Sequence, residues 1–206
     1  MNKRHLTLPF WLLLVLLLGS CGQDAPQLLP LERSAVILAF GDSLTFGTGS
    51  KKDKSYPAVL EQLSGYRVIN AGIPGEKTPA GLQRLSATLD RHSPQLLLLC
   101  HGGNDMLRKQ SMERMQSNLE QMITLARERG IQVVLLGVPQ PALFGLESAE
   151  TYYRVAQESG VPLEDEIIPE VLSDNALKSD QIHPNAEGYR LIAEAVYELL
   201  VEKGAL

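Results

Sequence analysis

The chain has 206 residues, which is long enough for one domain with a core of its own. Hydrophobic residues make up 44% and charged residues 21% of the chain, a balance typical of globular proteins. The net charge is −5 and no block of basic residues occurs, which argues against nucleic-acid binding because neutralising phosphates requires clustered lysine and arginine.

Residues 1–20 predict a secretory signal peptide that is not part of the fold. Lys3 and Arg4 form a positive segment, the apolar run 6–18 follows, and the small residues Gly19 and Ser20 end it. This run is shorter than the ~20 residues that a membrane-spanning helix needs. An uncleaved signal anchor is the alternative interpretation.

Cys21 comes directly after those small residues, and the segment 18–21 (Leu-Gly-Ser-Cys) resembles the lipobox of bacterial lipoproteins. This resemblance implies that Cys21 becomes the acylated N-terminus, and two or more acyl chains hold a protein on a membrane at about 0.8 kcal/mol per buried methylene. We therefore expect a lipid-anchored protein of the cell envelope that faces the periplasm or the exterior. Gly22 slightly favours the outer membrane in a Gram-negative host.

The segment 21–34 carries the lipidated cysteine and then predicts a tether, because it contains Pro26 and Pro30 and has little periodicity. The domain itself is then residues 35–206. Cys100 ends an apolar run and is expected to be a buried, unpaired residue. A disulfide with Cys21 is disfavoured because Cys21 lies beyond the tether.

Strand-like and helix-like segments alternate from residue 35 onward. The apolar or alternating runs that predict strands are 35–40, 66–70, 95–100, 131–138 and 161–163. Helical periodicity and capping signals predict helices over 55–63, from Thr78, from Ser111 to Gly130, over 148–159 and over 184–203. This order is typical of an α/β protein, a three-layer α/β/α sandwich around about five parallel strands.

In a parallel sheet the loops that follow the strands gather at one edge, where open α/β sheets bind their ligands. The loops expected there contain Ser43, Gly72, Asn104 and the segment 139–145. A serine after a first strand, in a Gly-rich and Thr-rich loop, is compatible with a nucleophile, a phosphate ligand or a turn residue.

The loop 179–185 supplies what a nucleophilic serine requires. A serine hydroxyl attacks poorly at neutral pH unless a base takes its proton, and histidine suits that role. His183 is the candidate base, and Asp180, three residues earlier, can reach its imidazole and fix its tautomer. The backbone N–H groups of Ser43 and Gly72 and the Asn104 amide are the candidate donors to an oxyanion.

Four segments together resemble the GDSL (SGNH) hydrolase family over residues 35–200, closest to its acyl-CoA thioesterase I/lysophospholipase L1 and arylesterase subgroup. They are Gly41-Asp42-Ser43-Leu44, Asn70-Ala71-Gly72, Gly103-Asn104-Asp105 and Asp180-x-x-His183. The resemblance implies a flavodoxin-like fold, a Ser43–Asp180–His183 triad, an oxyanion hole of Ser43, Gly72 and Asn104, and no metal or organic cofactor.

The same resemblance places the apolar loop 139–145 beside the acyl pocket, with Leu143 and Phe144 as its largest members. The expected substrate is a small-molecule or lipid ester: an aryl ester, a short or medium acyl ester, a thioester or a lysophospholipid. Membrane anchoring through Cys21 favours lipid-derived esters. No feature of the sequence sets an oligomeric state.

His101 departs from the family pattern and is expected to be either a second titrating group near the site or an exposed residue. Two alternative functions stay open at this stage. One is a flavin- or phosphate-binding flavodoxin-like protein, which the Ser-rich and Gly-rich loop 43–50 would suit. The other is a non-catalytic envelope lipoprotein.

Overall fold

Five parallel strands form the centre of the fold in the order β2-β1-β3-β4-β7. The computed structural model describes residues 26–141 and 145–206. The strands of that part of the chain are β1 (Val36–Gly41), β2 (Arg67–Gly72), β3 (Leu96–Cys100), β4 (Gln132–Leu136), β5 (Pro139–Pro141), β6 (Leu146–Ser148) and β7 (Leu163–Glu164). Its α-helices are α1 (Ser43–Phe46), α2 (Tyr56–Ser64), α3 (Thr78–His92), α4 (Gly103–Leu107), α5 (Met112–Arg127), α6 (Glu150–Ser159), α7 (Ile167–Ser173) and α8 (Ala186–Glu202).

The helices cover both faces of this sheet. Helix α2 packs against α8, whereas α5 packs against α3 and α6. The two groups lie on opposite faces because right-handed crossovers run from β1 to β2 in one direction and from β2 through β3 and β4 in the other. The predicted three-layer α/β/α sandwich with five parallel strands is therefore confirmed, and its strand order is that of flavodoxin-like folds.

The strands are aligned so that their carboxyl ends lie at one edge. Gly41, at the end of β1, pairs in register with Gly72 on one side and with Cys100 on the other. Every residue of β3 is buried, as expected for a strand that helices cover on both faces. Cys100 is a buried free cysteine.

Two predicted boundaries are wrong in ways that bear on the site. The segment 139–145 is predicted to be a loop, but its first three residues form strand β5, which pairs antiparallel with β6. Helix α8 does not begin at Pro184, because the Asn185 side chain accepts hydrogen bonds from the N–H groups of Glu187 and Gly188 and so caps the helix.

The prediction of a tether over residues 21–34 is also wrong for its second half. Leu28 and Leu31 are buried against the domain, and their N–H groups donate to the carbonyl oxygens of Lys203 and Ala205 at 2.8 and 2.9 Å. We call residues 28–32 the N-terminal strap. No helix in ranges 26–141 and 145–206 is long and apolar enough to cross a membrane.

Candidate active site

Ser43, His183 and Asp180 lie together at the carboxyl edge of the parallel sheet. The Ser43 Oγ lies 3.0 Å from His183 Nε2, and His183 Nδ1 lies 2.8 Å from Asp180 Oδ2. Because a carboxylate only accepts, His183 Nδ1 carries the proton and Nε2 is left with a lone pair toward the serine hydroxyl. Ser43 and His183 are 140 positions apart in the sequence, and the fold brings their side chains into contact.

The serine is held at the first turn of α1, directly after β1. As the first residue of a helix, Ser43 has no intrahelical acceptor for its N–H group. Helix α8 fixes the following loop, since the Tyr189 hydroxyl donates to the Thr48 carbonyl oxygen at 2.8 Å. Helix α8 thus contacts the loop that follows Ser43, and it begins three residues after His183.

The histidine loop is held by its own backbone. Asp180 Oδ1 accepts from the N–H groups of Ile182 and His183, both at 2.9 Å, while its other oxygen bonds the imidazole. These hydrogen bonds, that of His183 first, hold the pKa of the Asp180 carboxyl below its ordinary value. The Asn185 amide also donates to the Ala176 carbonyl oxygen at 2.7 Å, which closes the loop at its far end.

Asp42 orients the side chain of Asn104. Its carboxyl is 1% exposed, and burial raises the pKa of this group. One oxygen accepts from the Leu44 N–H at 3.1 Å, which caps α1, and the other accepts from Asn104 Nδ2 at 3.0 Å. Asn104 is at the start of α4 and lines the same cavity as Ser43. Its amide is held in place by its hydrogen bond to Asp42, the residue that precedes the serine.

Gly72 lies beside α1, and its N–H group already has a partner. It donates to the Asn70 side-chain oxygen at 3.0 Å, while the Asn70 amide donates to the Thr45 carbonyl oxygen at 2.8 Å. A Cβ on residue 72 would overlap the Phe46 backbone nitrogen and lie 2.7 Å from the Asp42 carbonyl oxygen. The packing of α1 onto β2 therefore requires glycine at this position.

An ion-pair network lies beneath the site. Arg84 Nε donates to both carboxylate oxygens of Glu76 at 2.8 and 2.9 Å, and its Nη2 donates to the carbonyl oxygens of Gly41 and Ala71. It thereby ties together the ends of β1 and β2. Burial opposes ionisation of Glu76, but hydrogen bonds from His101 and Arg84 outweigh it and lower the pKa of that carboxyl.

His101 belongs to this network, and the expectation of an exposed residue is wrong. Its side chain is fully buried, with Nε2 at 3.2 Å from Glu76 Oε2. Its Nδ1 accepts from the Gly102 N–H at 3.1 Å, so Nε2 is the nitrogen that donates. The ring fills the space that Gly81 leaves open on α3.

An apolar cavity of about 380 Å³ opens beside Ser43. Its size is within the usual range for small-molecule sites. The side chains that make it apolar are Leu44, Met106, Leu107, Val138, Pro139, Leu146, Leu172 and Ile182. Leu143 and Phe144, which were expected to border an acyl pocket, lie outside the described residues, as does Cys21.

Several residues of this site were not singled out from the sequence. Asp42 had a detectable signal, because it belongs to the segment Gly41-Asp42-Ser43-Leu44 and directly precedes the candidate nucleophile. The cavity residues of α4, α7 and β6 had none, since their apolar side chains serve equally well in a core. Only the three-dimensional arrangement separates the two uses.

The chain is similar to known proteins over most of its length. Residues 39–191 match the GDSL-like lipase/acylhydrolase family. An arylesterase of Vibrio mimicus is 34% identical over 200 residues, which covers 92% of this chain and 98% of the relative. Thioesterase 1/protease 1/lysophospholipase L1 of Escherichia coli K12 is 30% identical over 194 residues, with coverage of 91% and 88%. A crystal structure of TesA superposes with a TM-score of 0.71 at 29% identity, covering 82% of this chain and 99% of that one.

Proposed function

The chain belongs to the GDSL-like lipase/acylhydrolase family and is a serine esterase, and on that premise we propose that Ser43 is its nucleophile, His183 its general base and Asp180 the orienting carboxylate. The observation that carries this proposal is the 3.0 Å contact between Ser43 Oγ and His183 Nε2. Family membership sets aside the flavin-binding and non-catalytic alternatives.

This geometry supports hydrolysis in two steps through an acyl-enzyme. His183 Nε2 accepts the Ser43 hydroxyl proton while the oxygen attacks the ester carbonyl, and Asp180 stabilises the imidazolium that forms. His183 then protonates the leaving group, which departs as the tetrahedral intermediate collapses to an acyl-enzyme. Water deprotonated by the same histidine hydrolyses that ester and frees Ser43.

The developing oxyanion requires donors on the other side of the carbonyl. The Ser43 N–H and the Asn104 amide are the two donors that we propose, because the first has no intrahelical acceptor and the second is aimed by Asp42. Gly72 can act as a third donor only by sharing the hydrogen bond that it makes with Asn70.

The substrate class that we propose is an ester with a short or medium acyl chain or an aryl group. An apolar cavity of about 380 Å³ beside the serine suits such a group. The names of the relatives point in the same direction, since they include an arylesterase and a thioesterase/lysophospholipase.

The test is hydrolysis of p-nitrophenyl esters of increasing chain length. We expect Ser43→Ala to lower kcat by at least ~10⁴-fold, because members of such a triad act as a unit, and a fluorophosphonate to label only the form with serine at this position. Ser50→Ala, in the loop after α1, is the matched control and should keep full activity. Residual activity of Ser43→Ala above 10% would sink the mechanism.

We also propose that residues 1–20 are a signal peptide and that Cys21 carries lipid, which places the enzyme on a membrane of the cell envelope, facing the periplasm or the exterior. The apolar run before Cys21 and the lipobox-like segment support this. Cys21→Ser should abolish incorporation of labelled palmitate and release the protein from membranes. Unchanged membrane association of that variant would show that lipid is not the anchor.

A further inference from the structure

The N-terminal strap lies at the opposite edge of the sheet from the active site. The Leu29 backbone exchanges two hydrogen bonds with the Gln132 side chain, at 2.5 and 2.9 Å, and the Glu32 N–H donates to Gln95 at 3.1 Å. Gln132 is the first residue of β4, and Gln95 directly precedes β3. The strap therefore crosses the amino ends of the strands, whereas Ser43 follows a carboxyl end.

Helix α8 measures the separation between the two edges. It begins three residues after His183 and ends beside Lys203, whose carbonyl oxygen binds the Leu28 N–H. A helix of 17 residues rises about 25 Å. The point where the chain enters the domain is thus about one domain height away from the catalytic histidine.

The chain between Cys21 and the strap is too short to bridge this separation unless it is fully extended. Seven Cα–Cα steps lead from Cys21 to Leu28, the first residue of the strap, and a chain of that length spans about 25 Å only when it is fully extended. A flexible chain of the same length has an r.m.s. end-to-end distance of about 15 Å. Turning the carboxyl edge of the sheet onto the anchoring membrane would require a path of at least 25 Å or so along the domain.

We infer that the enzyme, when held through Cys21, keeps its active site turned away from its own membrane and acts on esters that arrive from the aqueous phase. This inference rests on the proposed function and on Cys21 as the point of attachment. It reverses the expectation that anchoring favours lipid-derived esters, because the docked strap holds the site off the bilayer that supplies such lipids.

The experiment attaches the chain to vesicles chemically, so that its outcome does not depend on biological lipidation. The chain starting at Cys21 is coupled through that thiol to a maleimide lipid in phosphatidylcholine vesicles; Cys100 is fully buried and does not compete. Two substrates are compared: p-nitrophenyl butyrate in solution, and 4-methylumbelliferyl oleate in the same bilayer.

The decisive comparison is with a variant that carries twelve additional Gly and Ser residues between Gly22 and Gln23. Both tethered forms should hydrolyse the butyrate equally, whereas the longer tether should raise the rate on the bilayer ester about tenfold or more by raising the effective concentration. Equal rates of the two tethered forms on the bilayer ester, whether high or low, would overturn the inference.

A second variant lengthens the tether without adding residues. Leu28→Ser combined with Leu31→Ser removes the buried contacts of the strap, and Leu29→Ser, at a side chain that is 73% exposed, is the matched control. The double variant should hydrolyse the bilayer ester faster than the unmodified chain and butyrate at the same rate. The control should match the unmodified chain in its rates on both substrates. No gain for the double variant would contradict the role of the strap, while loss of butyrate hydrolysis in every form, the unmodified chain included, would instead contradict the proposed function.

Discussion

Replacing Asp42 with asparagine should disable Asn104 without removing it. The Asp42 carboxyl accepts two hydrogen bonds, one on each oxygen, from the Leu44 N–H and from the Asn104 amide. The introduced amide has one oxygen, so one of these two donors is left facing an NH₂ group. If the oxygen stays with Leu44, the cap of α1 is kept and Asn104 loses the partner that orients it.

The magnitude follows from the kind of hydrogen bond that is lost. A hydrogen bond to a charged group contributes about 1.5–3 kcal/mol, so a misdirected Asn104 should lower kcat/KM by about 10- to 150-fold. Removing an oxyanion donor outright costs about 2.7–4 kcal/mol, and Asn104→Ala should therefore lie at or below the Asp42→Asn value. KM should change little, because the donor acts on charge that develops in the transition state.

The assay is a double-mutant cycle on p-nitrophenyl butyrate. If Asp42 acts through Asn104, then Asp42→Asn should have almost no further effect in the Asn104→Ala background. Asp53→Asn, at an exposed residue in the short helical turn Lys52–Lys54, is the control for the loss of an acidic charge. Additive effects of the two substitutions would refute the positioning role of Asp42. Thermal unfolding of each variant shows whether a loss of activity comes instead from loss of the α1 cap.

Three further substitutions test other parts of the fold and site. Gly72→Ala should destabilise the protein by about 1–3 kcal/mol or more in urea unfolding, because a Cβ there overlaps the Phe46 backbone; full stability would show that α1 can move away. Asp180→Asn should lower kcat by up to about 10⁴-fold, because His183 would lose the partner that sets its tautomer, and an unchanged kcat would exclude that role. Burial raises the pKa of Glu164 to about 7 from an ordinary 4.5, so the free energy of unfolding should fall as pH rises between these values. Glu164→Gln should abolish that slope and gain up to about 3 kcal/mol at pH 8 in pH-dependent denaturation, and a retained slope would assign it to another group.

The catalytic part of the site was predictable because it depends on strand order and short spacings. Apolar runs locate β1 and β3, and the parallel arrangement places the loops that follow them at one edge. Asp180 and His183 are three residues apart, which lets backbone geometry alone bring the carboxylate to the imidazole. Local pattern and topology agree here, so residues far apart in sequence could be assigned to one place.

The strap and His101 were not predictable for a different reason. Leu28 and Leu31 are buried where glutamine side chains at the amino ends of two strands bind the backbone of Leu29 and Glu32, and such long-range side-chain contacts leave no periodic pattern. His101 is polar and follows a strand, which is typical of a loop residue. Its burial depends on Glu76 and on the missing side chain of Gly81, both distant in sequence.

Helix α8 connects the two edges of the domain and sets the distance between the point where the enzyme is held and its catalytic base. Its inward face, formed by Tyr189, Ile192, Ala193, Val196 and Leu200, is buried along the sheet, which makes the helix a rigid spacer. Asn185 caps it beside the histidine loop, and Lys203 receives the strap at the other end. Because hydrogen bonds within the loop hold His183 independently of the strap, changes at the strap should alter which esters the enzyme reaches and leave its rate on a soluble ester unchanged.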